Sequence, residues 1–320
     1  MGTRFAHTHA RGRGRSAAAV AGALAALALT GCGGGAAQAR TFYVSPAGSD
    51  GAPGTSPASA WRTVARVNRA RLRPGDTVLL RGGAAFRNTL MPRHSGRPGR
   101  PIAFASYGPG RAKLLRGVWF GRGHDLAFDR LALPGASLVG HGSRIAVTRC
   151  AIARGALGIF ADGTDWRIER NKVHRTGDSG LILMGARMAV TSNRIEDTGR
   201  DGTIGYPRHG IYLKAADSRI AGNRIHGFAD NGISARYRNG TIVGNEIARG
   251  PIGIAWFQND GRAGTSRWLD NRISATTSAG IYVSPADSAG PTRERILIAR
   301  NVVRPLAGLR MDLRGLRAAP

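Results

Sequence analysis

Short runs of alternating apolar and polar residues recur along most of this chain. Each opens on glycine, continues with Ile or Leu, and then alternates. The runs are Gly158-Ile159-Phe160, Gly180-Leu181-Ile182-Leu183, Gly210-Ile211-Tyr212-Leu213, Gly232-Ile233-Ser234-Ala235, Gly253-Ile254-Ala255-Trp256 and Gly280-Ile281-Tyr282-Val283. A period of two predicts strands with one buried face, not helices. A second signature alternates with the first: Asn, any residue, then Ile or Val. It starts at Asn171, Asn193, Asn223, Asn245, Asn271 and Asn301, and Asp129 and Cys150 open altered copies. From Asp129 the anchors lie 21, 21, 22, 30, 22, 26 and 30 residues apart, so the unit is 21–22 residues with three lengthened copies.

A repeat of this length, built of short strands and Gly, Asn or Asp turns, predicts a solenoid in which each unit is one rung. The leucine consensus of leucine-rich repeats is absent. The fold class is therefore all-β, a single-stranded right-handed parallel β-helix over residues 75–320. Inward Ile, Leu and Val stack into ladders, and the Asn of each turn stacks on the next. Residues 40–74 predict an N-terminal cap. Thr41-Phe42-Tyr43-Val44 reads as a strand, and Ser59 as the cap of a short helix over 60–72, with Trp61, Val64, Ala65 and Leu72 on one face. Such a helix covers the open core and sheet edge of the first rung. The tail repeats the pattern once more at Gly308-Leu309-Arg310-Met311 and shows no cap signal.

Residues 1–39 break the pattern and read as an export signal. Arg4, Arg11, Arg13 and Arg15 precede an apolar stretch over 17–30 that is too short to span a bilayer comfortably. Leu29-Thr30-Gly31-Cys32 looks like a lipobox, which makes Cys32 the lipidated residue and Gly33-Gly34-Gly35 a tether. The alternative is cleavage after Ala37-Gln38-Ala39, which frees a soluble chain. The expected location is outside the cytoplasm, with membrane contact through the lipid anchor alone. Removing the n-region lowers the net charge only from +28 to 28 − 4 = +24. Forty-seven basic residues against 19 acidic ones suit a polyanionic partner. Of those 47, only Lys113, Lys172 and Lys214 are lysine. Nucleic acid is disfavoured, because no zinc motif or helix-turn-helix pattern occurs and the chain reads as exported. Forty-seven glycines and 15 prolines exclude a helical bundle. Cys150 remains without a second cysteine for a disulfide framework, and reads as a small buried residue.

The register turns the repeat into a surface map. Counting from the glycine, positions one and three point inward and positions two and four outward. The fourth-position column reads Asp162, Met184, Lys214, Arg236, Phe257 and Ser284, and the second-position column Phe160, Ile182, Tyr212, Ser234, Ala255 and Tyr282. Lys214 and Arg236 are one rung apart and should be neighbours, with Tyr212, Phe257 and Tyr282 offering aromatic surface for sugar rings. The extra residues of the long rungs fall at 197–209, 258–266 and 285–293, on either side of this column, where a groove needs walls.

Two segments carry a family resemblance. They are His209-Gly210-Ile211-Tyr212-Leu213-Lys214-Ala215 and, one rung later, Ile233-Ser234-Ala235-Arg236-Tyr237-Arg238-Asn239-Gly240. Together they resemble the Lys/Arg pair of the chondroitinase B and alginate lyase family of polysaccharide lyases. Pro74-Gly75-Asp76-Thr77-Val78 and Ser95-Gly96-Arg97-Pro98-Gly99-Arg100-Pro101-Ile102 are similar to the same family. The resemblance implies an acidic polysaccharide as partner, with Lys214 as base and Arg236 assisting as acid. The family's calcium-binding glutamates before the lysine are replaced by Pro207 and His209, so no metal or other cofactor is expected.

β-Elimination of a uronate requires removal of the C5 proton, neutralisation of the carboxylate and protonation of the C4 oxygen. A lysine suits the first task where its neutral form is accessible. Arg236 suits carboxylate stabilisation better than proton donation, with Arg208 as a helper, since guanidinium does not readily lose its proton. His209 or Tyr212 then serves as acid, and Tyr206 lies beside them in sequence. Rival readings are a uronan C5-epimerase, which uses the same proton abstraction, and a non-catalytic glycan-binding or structural protein. Hydrolysis needs paired carboxylates. The outward columns offer only Asp162 and the distant Asp312, with Asp197 and Asp201 in a long loop.

Overall fold

A computed structural model describes residues 38–200, 208–287 and 289–304. Lipidation at Cys32, the loop residue Tyr206 and the tail motif at Gly308 fall outside these residues. The chain divides after Gln38, and the solenoid lies in the unit that begins at Ala39.

Each central rung holds three strands. Ile159–Thr164, Arg167–Glu169 and Lys172–His174 pair in parallel with Leu181–Ala186, Ala189–Thr191 and Arg194–Thr198. Those pair in turn with Ile211–Ala216, Arg219–Ala221 and Arg224–Phe228. Three stacks of parallel strands thus enclose one apolar core, and every in-pointing Ile, Leu or Val lies on its counterpart in the next rung, as in Leu181↔Ile211↔Ile233↔Ile254↔Ile281. This is the parallel β-helix that the period predicts.

The corners explain why the strands stop where they do. Between the first and second strands the chain passes through the left-handed region at Asp125, Arg144, Asp165, Arg187, Asp217 and Asn239, with φ from 54 to 60°. That conformation is costly outside glycine. Here cross-rung bonds accompany it: Arg144 donates twice to Asp125 at 2.9 Å, and Arg187 donates to Asp165 at 2.7 and 2.8 Å.

At the next corner the Asn ladder closes a buried polar column. Asn193 donates its backbone N–H and its side-chain amide to Asn223 Oδ1, both at 2.9 Å, and the same amide to the Ile168 carbonyl at 2.9 Å. The pattern runs from Cys150, whose N–H donates to Asn171 Oδ1, to Asn301. A side chain with one acceptor and two donors satisfies neighbouring rungs at once, which is why Asn serves here. Cys150 takes the same buried place, and burial raises its thiol to about 12, so it is inert as a nucleophile.

The N-terminal helix is shorter than predicted: Val64–Arg69, capped by Thr63, whose hydroxyl accepts from the Arg66 N–H at 3.1 Å. Ser59 is instead locked in a turn with Ser56. Trp61 continues extended, bonded to the first strand through its N–H to the Tyr43 carbonyl and stacked on Phe42 at 4.6 Å. Val64, Val67, Trp61 and Leu72 still enter the core. The Thr41–Val44 strand pairs with Thr77–Arg81.

Candidate functional site

The outward face of the first-strand stack carries the predicted columns. Tyr212 lies between Ile182 and Ser234, and Lys214 lies beside Met184. Regular pairing to the next rung ends at Leu213↔Ala235, but Arg236 donates its N–H to the Leu213 carbonyl at 2.9 Å, and Phe257 donates its own to Ala235 at 3.0 Å. The fourth-position column therefore continues through Lys214, Arg236 and Phe257.

Tyr212 is the centre of this face. Lys214 Nζ sits 5.2 Å from its ring centroid and the Arg236 guanidinium 5.4 Å, the latter also 4.3 Å from the Phe257 ring. Phe257 in turn tilts against Tyr282 at 5.5 Å. The two cations differ. Arg236 is only 12 % exposed: it donates to Ser234 Oγ at 3.0 Å and to Asp287 Oδ2 at 3.3 Å. Asp287 arrives from a small hairpin, Ala286–Asp287 against Gly290–Pro291, and also accepts from the Asn259 amide. The loops after Phe257 and after Ser284 are joined through Gln258, which donates to the Arg262 carbonyl and accepts from the Arg293 N–H. Lys214, by contrast, has no carboxylate partner among the described residues.

His209 is placed differently from its expected role as acid. Its side chain has no exposed surface, and it packs beneath the sheet face with its ring 5.0 Å from that of Tyr212. Burial, and secondarily Arg236, drives it down to about 3. Its Nδ1 faces the Asn231 N–H at 3.3 Å, so that nitrogen accepts and Nε2 carries the proton. The 3.4 Å approach to Asp230 is thus not an ion pair; the Asn231 amide bridges the two acceptors. Burial holds the Asp230 carboxyl above its usual range, against the pull of Arg236. A neutral, enclosed imidazole supports the Tyr212 ring but cannot reach a substrate in this arrangement. Arg208 lies just before it, its carbonyl accepting from the Asp230 N–H at 3.1 Å.

The donors also do not suit calcium, which takes six to eight oxygens. His209 is buried where a ligand would be needed, and the face around Tyr212 presents cations. No group of three or more His, Cys, Asp or Glu side chains that could hold a metal occurs among the described residues.

Three features escaped the sequence reading. Asp287 joins the site from two rungs away. His141, paired with Asp162 at 2.9 Å and tilted over Phe160 at 5.5 Å, extends the fourth-position column by one rung. Trp119, 47 % exposed, extends the second-position column through Val139. A glycine-Ile/Leu frame begins only at Gly158. Allowing Val after glycine would have found Gly117-Val118-Trp119.

Comparison with known proteins bears on the fold. Residues 134–303 match the model of the right handed beta helix region. No match was found among curated proteins. Among solved structures, the lacto-N-biosidase GH136 from Eubacterium ramulus is 12 % identical with a TM-score of 0.50, over 83 % of this chain and 68 % of that one. The pectate lyase Pel9A is 16 % identical with a TM-score of 0.52, over 89 % and 82 %. A rhamnogalacturonan lyase is 16 % identical with a TM-score of 0.52, over 79 % and 75 %. At such identities the likeness is one of fold. With the family model covering more than half of its length, this chain belongs to the right-handed β-helix family.

Proposed function

We propose that this protein is a carbohydrate-active enzyme that binds an acidic, uronate-containing polysaccharide and cleaves it by β-elimination. The observation that carries this reading is the pair of cations on the outward Tyr212 ring, one pinned by Asp287 and the other without a carboxylate among the described residues. Arg236, held in fixed orientation, engages the substrate carboxylate and stabilises the charge that develops on it. Lys214 Nζ takes the C5 proton, the C4–O bond breaks, a C4–C5 double bond forms, and the Tyr212 hydroxyl returns a proton to the leaving oxygen. Phe257 and Tyr282 give sugar rings an apolar face, and Arg208 and Tyr206 border the site in sequence. Two of the similar folds are named as lyases of pectate and rhamnogalacturonan, which supports a polysaccharide substrate. The lacto-N-biosidase shows that the same fold also hosts another reaction, so the choice rests on the residues. Hydrolysis needs two facing carboxylates. Here Asp287 is engaged by Arg236, and Asp162 lies two rungs from Lys214. Export, with Cys32 as a lipid anchor, fits an extracellular polymer and is part of the proposal.

The test is incubation with a panel of polyuronates, reading the ultraviolet absorbance of the unsaturated product. Activity on at least one polymer is expected, with Lys214→Ala lowering it by at least about 100-fold. An intact rate in Lys214→Ala, or no product from any polymer, overturns the lyase reading. Altered sugar configuration without a double bond, seen by proton NMR, makes the protein an epimerase instead.

A further inference from the structure

Four corner arginines of this solenoid are neutralised by a carboxylate one rung away: Arg144 by Asp125, Arg149 by Asp129, Arg187 by Asp165 and Arg300 by Asp270. The corner between the third and first strands has no such pair among the described residues. Arg154 and Arg175 occupy it in the same left-handed conformation, φ 57° in each, one rung apart. Neither is paired with a carboxylate among the described residues. Both line one recess of about 520 Å³ with Gly155, Ala156, Gly177 and Arg200. Asp197 lies 3.7 Å from Arg200, with both side chains about half exposed. Guanidinium groups stacked at rung spacing repel one another unless an anion lies between them.

A second recess, of about 610 Å³, adjoins the first through Ala156 and is lined by Trp119, Val139, Met91 and Arg116. Trp119 is the most exposed of the large apolar side chains described. It stands four rungs before Tyr212 in one outward column, Trp119↔Val139↔Phe160↔Ile182↔Tyr212, which is about 19 Å at a strand spacing of about 4.8 Å. An exposed indole face beside unpaired guanidinium groups suits a ligand with flat apolar ring faces and regularly spaced acid groups.

We infer that Trp119, Arg154, Arg175 and Arg200 form a second binding site for an acidic polysaccharide, one that holds a long chain on the rungs before Tyr212. Sugar rings stack on Trp119, and carboxylates or sulfate esters bridge the arginines. The choice of ligand rests on the function proposed above; the site itself does not depend on Lys214.

Calorimetric titration of the whole chain with long and trimeric polygalacturonate and alginate, neutral dextran, and phosphatidylglycerol vesicles tests it. Arg154→Gln/Arg175→Gln should weaken binding of the long polyuronate about tenfold and Trp119→Ala several-fold, with a loss that grows with chain length. A sulfated polymer bound more tightly than a polyuronate through the same residues assigns the anion as a sulfate ester. Circular dichroism should show both variants folded, since all three side chains are exposed. The inference is overturned if both variants bind like the parent, if the parent binds no acidic polymer, or if the vesicles alone are bound. Should Lys214→Ala retain activity while these variants lose binding, the lyase reading falls and this site stands.

Discussion

Two columns of the same solenoid treat hydrogen bonding in opposite ways. From Asn193 to Asn271 each amide donates to a carbonyl of the preceding rung and to the Asn Oδ1 of the following one, and its own oxygen accepts from the backbone and amide of the preceding Asn. The column is buried from Asn171 to Asn271 and leaves nothing there for a ligand. On the face around Tyr212 the repeat is broken: successive rungs offer Met184, Lys214, Arg236 and Phe257, and one partner, Asp287, comes from a loop. Where a repeat satisfies itself it is structure. Where side chains change from rung to rung and a charge is left without a partner, it can hold something else.

The largest effect should come from breaking the closed column. Asn223→Ala strips the acceptor from the Asn193 N–H and amide and the donor from the Val190 carbonyl. With several buried groups left unmatched, unfolding in urea should show a loss of about 3–5 kcal/mol. A loss below about 1 kcal/mol would mean that water or a shifted turn replaces the amide.

His209 tests the boundary between the two regions, being buried like the Asn column yet placed under Tyr212. Its folded value of about 3 lies below the usual histidine range, so the unfolded chain binds the extra proton. Its contribution is therefore complete above about pH 6.5 and is lost as pH falls toward 3, at about 1.4 kcal/mol per pH unit. His209→Gln should flatten the stability profile between about pH 6.5 and 4.5. Burial also lowers His174 and His226, so some slope remains. An unchanged slope would show that the ring is solvated or protonated in the native state.

The part of this contrast that the sequence made legible is the part set by period. The inward ladders and the Asn column repeat every 21–22 residues, and the register they impose brought Lys214 next to Arg236. Three things lay beyond that reading. Trp61 reads as helical by spacing, but its indole donates to the Ala52 carbonyl and its backbone joins the first strand. His209 precedes the strand by two residues, where alternation does not determine facing, and only packing shows that it is enclosed. Asp287 reaches Arg236 across 51 residues of chain, and loop closure leaves no periodic trace.

That unpredicted contact separates the two cations of the site. Removing the carboxylate in Asp287→Ala leaves a mostly enclosed guanidinium with only Ser234 Oγ to bond, so stability should fall by about 1–2 kcal/mol. Lys214→Ala should change stability by less than about 0.5 kcal/mol, because a half-buried lysine without a carboxylate contributes little to the fold. Equal losses in the two variants would remove the distinction between a pinned cation and an available one.

The smallest effect belongs to an ion pair with better geometry than the one at Arg236. Asp165 and Arg187 meet through two bonds of 2.7 and 2.8 Å, but their side chains are 37 % and 55 % exposed. Water competes for both groups, and salt screens them. Asp165 also holds a left-handed backbone, φ 60°, which asparagine tolerates about as well. Asp165→Asn should therefore leave the urea midpoint unchanged within error, at low salt and high salt alike. A clear, salt-sensitive loss would mean that the corner charges stabilise the solenoid as a coupled ladder, running from Asp125 through Arg144, Asp165 and Arg187 to Asp217. The unpaired Arg154 and Arg175 would then be a site kept at a cost to the fold.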